Sequence, residues 1–211
     1  MHNEPIETVT APAHFEQGKF VQQQTLKIYI DPEPLNPRTE SDNMGHMVCF
    51  HKRYDLGDEV QGISYTRMEN DFDSWDEVED YLIKEMEAVV ILPLYLYDHS
   101  GITMRTHSFN DRWDSGQVGF IYATRKDILD NWGGKKLTKE LRQKAYDLLV
   151  AEVQDYDDYL TGNVYGYVLE DEDGEELWSC WGYAGDTAVE QIKSEMHIQI
   201  TSPQQGVGTE A

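Results

Sequence analysis

Carboxylates are the side chains whose number and spacing in this sequence could do chemistry. One group lies within a short segment: Asp71, Asp73, Asp76, Glu77, Asp80 and Glu87. A second group follows later in the chain: Asp155, Asp157 and Asp158. We predict that both groups contact a partner. A solvated acidic surface without a partner is the alternative.

The spacing of the first group resembles that of a nucleic-acid backbone. On an α-helix, the eleven residue steps from Asp76 to Glu87 span about 16 Å. Four carboxylates over this length give about one per 4 Å, and one strand of duplex DNA presents a phosphate about every 3.4 Å. Lys84 interrupts the array. Like charges three or four residues apart repel each other, so the crowding has a folding cost that hints at a function.

The overall charge favours a basic partner. The chain has 211 residues, with 40 Asp and Glu against 17 Lys and Arg, and a formal net charge of −23. Binding to DNA or RNA through phosphates needs a basic patch, so we expect no direct binding to nucleic acid. Anionic membrane surfaces should also repel the chain. The basic groove of a nucleic-acid-binding protein or complex should attract it.

A second candidate site follows the most hydrophobic stretch of the chain. Asp98 and His99, with His51 or His46, could ligate a metal ion in a metal-dependent hydrolase or nuclease. A polar turn at the end of a strand is the alternative. No His-x-x-x-His or Cys-x-x-Cys spacing supports the metal site. We therefore predict no catalytic residue, no metal and no cofactor.

The two cysteines, Cys49 and Cys180, are too few for a disulfide framework or a four-cysteine zinc site. Cys49 and His51 would share one face of a strand and could form a thiol–base pair, but a buried, small apolar role explains Cys49 better. No apolar run reaches the length of about 20 residues that a membrane span needs. Because no leader of the secretory type opens the chain, we expect a cytoplasmic protein.

Helix and strand signals place these residues on an α+β fold. Ser74 and Glu77 form a capping-box pattern, which predicts a helix from there to about Ala88. A longer helix should run from about Thr138 to Thr161. Its apolar arc contains Glu152, which requires either a bend or a partner.

We predict a single domain over residues 25–201, with a mixed or antiparallel sheet, two main helices and a C-terminal hairpin. The hairpin pairs residues 164–169 with 177–181 around an acidic turn, which is either a charged tip or a surface for a partner. Residues 1–24 are predicted to form a disordered arm and 202–211 a disordered tail.

Five segments together carry a resemblance to a known family. They are 30–38 (IDPEPLNPR), 45–58 (GHMVCFHKRYDLGD), 92–101 (LPLYLYDHSG), 113–122 (WDSGQVGFIY) and 179–182 (SCWG). The set resembles an uncharacterised family of acidic proteins carried by bacteriophages, plasmids and integrative elements, over about residues 26–185. The family has no activity attached to particular residues, so the resemblance implies no catalytic positions. It implies a mobile-element protein that acts inside a bacterial host.

Mobile elements encode small acidic proteins that block restriction or CRISPR enzymes. The negative charge of this chain and the mobile-element origin that the resemblance implies are both shared with such inhibitors. By this analogy, we expect a non-enzymatic inhibitor that acts as a DNA mimic and occupies a basic groove of a restriction or CRISPR nuclease complex. A metal-dependent enzyme centred on Asp98 and His99 is one alternative. An acidic protein-binding module that does not mimic nucleic acid is another.

Overall fold

The structure, a computed structural model, describes residues 4–16, 19–58, 71–111 and 113–201. The chain divides into two compact units, Met1–Leu35 with Gly162–Ala211, and Asn36–Thr161. Each unit is described by itself below, and the predicted single domain over 25–201 stays a prediction. None of the helices within the described ranges is both long enough and apolar enough to cross a membrane.

Strands and helices confirm the predicted α+β class, and the sheets are antiparallel. In chain order the described strands are β1 (Glu7–Ala11), β2 (His14–Glu16), β3 (Lys19–Val21), β4 (Gln24–Ile30), β5 (His46–Cys49), β6 (Ala88–Asp98), β7 (Ile102–Arg105), β8 (Ser115–Thr124), β9 (Val164–Glu170) and β10 (Glu176–Ala184). The described helices are α1 (Pro37–Glu40), α2 (Trp75–Lys84), α3 (Arg125–Trp132), α4 (Lys139–Thr161) and α5 (Ala188–Thr201).

The unit Asn36–Thr161 is a four-stranded sheet in the order β5–β8–β6–β7 with helices on both faces. Side chains of a strand alternate between the faces, and β8 shows this directly. Ile121 and Ala123 belong to the core under α3 and α4. Phe120 and Tyr122 belong to the core under α2. Because both faces are covered, β8 is continuously buried over residues 118–123 (VGFIYA).

Helix α2 begins as predicted and ends earlier than predicted. The Ser74 hydroxyl accepts a hydrogen bond from the Glu77 amide at 3.3 Å. Val78 and Leu82 are buried against the sheet. The helix ends at Lys84 with Glu85 as its C-cap, and Glu87, with a φ of 57°, leads into β6 at Ala88. The prediction that this helix continues to about Ala88 was therefore wrong.

Helix α4 confirms the predicted long helix. The Thr138 hydroxyl accepts from the Leu141 amide at 3.2 Å, which caps its first turn. Leu149, Val153 and Tyr156 are buried against the sheet. The helix stops at Thr161, where Gly162 follows with a φ of 72°.

The other unit holds the antiparallel sheet β1–β4–β9–β10, with α5 against one face. Ile192 and Met196 of α5 are fully buried on Leu26, Ile28 and their neighbours. Strands β9 and β10 form the C-terminal hairpin, as predicted.

Strand β1 corrects the predicted disordered arm. It pairs with β4 from Glu7 opposite Ile28 to Ala11 opposite Gln24, and β2 pairs with β3. An exposed strand at a sheet edge shows little apolar alternation, so its sequence does not reveal the pairing. The predicted tail, residues 202–211, lies outside the described residues.

Candidate acidic binding surface

The first carboxylate group forms what we call the α2 acidic surface: Asp71, Asp73, Asp76, Glu77, Asp80 and Glu87. All six residues are exposed. The opposite side of α2 is anchored, since Val78 is 1% and Leu82 0% exposed. One helix therefore turns an apolar face to the sheet and a negative face to solvent.

Two contacts organise this surface. The Glu77 carboxylate accepts a hydrogen bond from the Asp73 amide at 2.8 Å. This contact replaces the return bond to Ser74 that a complete capping box would have. Lys84 Nζ lies 2.6 Å from Asp80 Oδ2 and forms an ion pair with it along α2. Both side chains of that pair are more than 60% exposed, so the pair stabilises the helix only weakly.

The regular acidic array is shorter than the sequence predicted. Asp76, Glu77 and Asp80 lie on α2, and Asp76 and Asp80 are about 6 Å apart along the helix axis. Glu87 lies beyond the helix end in a left-handed conformation, so its position does not follow the helical rise. The predicted spacing of one carboxylate per 4 Å over 16 Å is thus wrong beyond Lys84.

The second carboxylate group does not form one surface. Asp155 is exposed, Asp157 is half-buried and Asp158 is 5% exposed. Asp157 Oδ1 accepts from the Thr103 hydroxyl and from the Met104 amide, both at 2.7 Å, and so joins α4 to β7. Asp157 and Asp158 therefore belong to the packed side of the helix, which corrects their prediction as partner contacts.

Burial and neighbouring charges shift the pKa of two of these carboxyl groups. Loss of solvation raises the pKa of Asp157, although the hydrogen bonds from Met104 and Thr103 oppose the shift. The pKa of Asp155 is raised by loss of solvation and then by the charges of Asp158 and Glu152. Negative charge is thus crowded on this side of α4.

A buried ion network of Arg38, Asp58 and Glu152 lies in the same unit. Arg38 Nε and Nη2 donate to the two oxygens of Asp58 at 2.8 and 2.9 Å. Its Nη1 donates to Glu152 Oε2 at 2.9 Å. Glu152 Oε1 also accepts from the amides of Met44, at 2.9 Å, and Gly45, at 3.2 Å. The partner required by the apolar position of Glu152 is therefore Arg38, which the sequence did not identify.

The ion network keeps Arg38 charged. Burial lowers its pKa, but hydrogen bonds and charge interactions with Asp58 and Glu152 outweigh burial, and the pKa is raised. The side chain of Arg38 is only 1% exposed, and that of Asp58 is 21% exposed, so the guanidinium itself is closed to a partner. Its role is to join α1, the β5 region and α4.

The Asp98 and His99 candidates are each engaged with other side chains. Asp98 Oδ1 accepts from the Tyr54 hydroxyl at 3.2 Å, and Asp98 Oδ2 pairs with Arg53. His99 Nδ1 lies 2.9 Å from Asp114 Oδ2. Asp98 and His99 therefore point to different partners.

The other two histidines considered for the metal site are also engaged. His51 Nδ1 accepts from the backbone amides of Arg53 and Tyr54, both at 3.3 Å. Burial and then the charge of Arg53 lower its pKa. His46 Nε2 lies 3.1 Å from Asp127 Oδ2. In the part of the chain that the structure describes, no three His, Cys, Asp or Glu residues form a group that could hold a metal ion.

Cys49 is not set up as a nucleophile. Burial, then the charge of Asp58, raises the pKa of its thiol to about 12. A thiol with this pKa is protonated near neutral pH and reacts slowly. His51 Nδ1 accepts hydrogen bonds from the backbone amides of Arg53 and Tyr54, so this nitrogen is already occupied.

Fold and surface together define an α+β protein whose exposed acidic helix is held on a covered antiparallel sheet. Comparisons of the chain with protein-family models, with curated protein sequences and with solved structures find no match. The resemblance to the family of mobile-element proteins therefore stays a prediction.

Proposed function

We propose that the protein inhibits a bacterial host defence complex, a restriction or CRISPR nuclease, by occupying a basic nucleic-acid-binding groove. The α2 acidic surface makes the contact, and its carboxylates replace phosphates. The observation that carries the proposal is the exposure of all six of its acidic residues around one anchored helix.

Electrostatics support this choice of partner. A formal net charge of −23 repels nucleic acid and attracts a groove lined by Lys and Arg. Complementary charge speeds the encounter and excludes wrong partners more than it adds affinity. Asp76 and Asp80 are about 6 Å apart along the axis, close to two phosphate steps of about 3.4 Å on one DNA strand.

Rigidity supports the choice of helix. Val78 and Leu82 pack with Phe120 and Tyr122 of β8, so the backbone that carries the carboxylates is held by a core. A preorganised surface loses less conformational entropy on binding than carboxylates on a loop would.

A cleavage assay tests the proposal. Purified restriction and CRISPR nuclease complexes are mixed with the protein, and cut duplex DNA is measured. The double variant D76N/D80N keeps the side-chain shape and removes two charges. We expect inhibition by the wild type that excess DNA relieves, and inhibition at least about tenfold weaker for the variant, since each charge-assisted contact contributes about 1.5–3 kcal/mol.

Helix α4 offers a matched control. Glu140 and Asp147 are exposed acidic residues of that helix, and E140Q/D147N removes the same two charges from another surface. Circular dichroism checks that both variants are folded. Equal inhibition by the two variants would show that α2 is not the contact. Inhibition that excess DNA does not relieve would favour the protein-binding module without mimicry.

A further inference from the structure

Strand β10 is a long, open sheet edge. It has nine residues and lies last in the order β1–β4–β9–β10. Among the described strands it pairs with β9 alone. The outer amide and carbonyl groups of such an edge are a template for another strand.

Large apolar side chains are exposed along this edge. Leu177 is 46%, Trp178 59% and Trp181 36% exposed. Cys180 packs against the core under α5. Alternate residues of a strand lie on the same face of the sheet, so Trp178, two residues before Cys180, also lies on the α5 face. Trp181 lies on the opposite face, where its ring covers Gly166 and lies 6.1 Å from Tyr29. An added strand would thus meet a tryptophan on each face.

The turn that leads into β10 is strongly acidic. Glu172, Asp173, Glu175 and Glu176 are exposed. Hydrogen bonds within the turn stabilise its backbone: Asp171 Oδ1 accepts from the amides of Asp173 and Glu175, both at 2.9 Å. Lys27, at 2.6 Å from Glu170, makes the one ion pair of residues 170–176 in the described structure.

From the open edge, the tryptophans and the charge, we propose that β10 binds an extended basic segment of a partner protein as an additional strand. Main-chain hydrogen bonds to the edge supply affinity, and alternate side chains supply specificity. Basic side chains of the segment face the acidic turn and stack on Trp178. The acidic turn disfavours a second copy as the occupant, since each copy has a formal charge of −23. The proposal does not depend on the α2 acidic surface.

A labelled peptide tests this proposal. The probe is a ten-residue peptide of alternating valine and arginine, and its binding to the whole protein is followed by fluorescence anisotropy at 150 mM salt. A second peptide of the same sequence has every backbone nitrogen methylated, so it keeps the charge and cannot pair. We expect the methylated peptide to bind at least about tenfold more weakly, because the strand-addition hydrogen bonds are lost. Equal binding of the two peptides would overturn the proposal.

The protein offers a matched pair of tryptophan variants. W178A removes the exposed ring on β10, and W113A removes a ring that is 95% exposed on the other unit. We expect W178A to weaken binding of the unmethylated peptide about tenfold, and W113A to leave it within about twofold of the wild type. An equal effect of the two variants would show that the ring of Trp178 makes no specific contact with the peptide, and it would contradict binding at β10.

Two further measurements separate the remaining outcomes. Light scattering gives the oligomeric state, and a dimer that W178A dissociates would show that a second copy occupies the edge, against the proposal. D76N/D80N should bind the peptide as the wild type does, apart from a small general charge effect. In the cleavage assay, W178A should inhibit like the wild type, so failure of one proposal can be distinguished from failure of the other.

Discussion

Arg38 has five N–H donors, and each of them has an acceptor in the structure. Asp58 accepts two, and Glu152, Asn43 and the Gly45 carbonyl accept one each. A buried charge that is fully hydrogen-bonded is tolerated, whereas removal of one partner leaves the others desolvated and unpaired. The network thus makes three distant parts of the sequence depend on one side chain.

Replacement of Arg38 by methionine tests this dependence. R38M should lower the free energy of unfolding by about 3–5 kcal/mol, because the buried Glu152 and the partly buried Asp58 lose their counter-charge. Urea unfolding followed by circular dichroism at pH 7 measures the loss.

Arg53 is the matched control for this substitution. Its side chain is 67% exposed and pairs with Asp98 at the surface. R53M should cost no more than about 1 kcal/mol, as exposed ion pairs usually do. Equal losses for R38M and R53M would contradict the importance of the buried network.

At the scale of elements, strands β5 and β8 approach each other closely at one glycine. A Cβ built at Gly119 would lie within 2 Å of the Val48 carbonyl oxygen, so the pair depends on the missing side chain. Gly116, on the same strand, has open space around the corresponding position. The two glycines of β8 therefore have different roles.

Alanine substitution distinguishes the two glycines. G119A should destabilise the protein by at least about 1–3 kcal/mol, because the β5 backbone must move away from β8. G116A should stay within about 0.5 kcal/mol of the wild type. Thermal unfolding of both variants measures the difference, and similar midpoints would show that β5 can shift without cost.

Helix α2 has two sides with different surroundings. Its apolar residues Val78 and Leu82 hold it on the sheet, and its carboxylates lie on the other side. Substitutions on the acidic side should therefore change binding more than folding, which makes D76N/D80N a usable test of function.

At the scale of the whole molecule, the net charge opposes folding. The chain has 40 acidic side chains against 17 basic ones, and repulsion among the excess negative charges destabilises any compact state. At about 0.1 M salt, this repulsion is largely screened between exposed charges more than about 10 Å apart. Under the proposed function, the same charge that lowers stability provides the attraction to a basic groove.

Sodium chloride should consequently stabilise the protein. We expect the thermal unfolding midpoint to rise by several degrees between 20 and 500 mM salt, since about 1 kcal/mol shifts the midpoint of a chain this size by about 2–4 °C. Differential scanning calorimetry measures it. An unchanged or lower midpoint would show that repulsion between carboxylates is not a major cost in the folded state.

The sequence by itself determined the local elements and the sign of the charge. The starts of α2 and α4 follow from Ser74 and Thr138, because a cap acts within three residues of its helix. The C-terminal hairpin and the exposure of the carboxylates on α2 follow from patterns of the same short range. The end of α2 was misplaced, since the left-handed Glu87 has no clear local signal, and strand β1 was missed.

Tertiary structure decided the features that depend on distant partners. Asp157 resembles Asp155 in the sequence, but it is held by Met104, 53 residues away. Glu152 pairs with Arg38, 114 residues away in the sequence, and β1 forms a strand by pairing with β4. Burial and pairing are properties of the packed chain. A carboxylate that stabilises the fold and one that faces solvent therefore cannot be distinguished from the sequence alone.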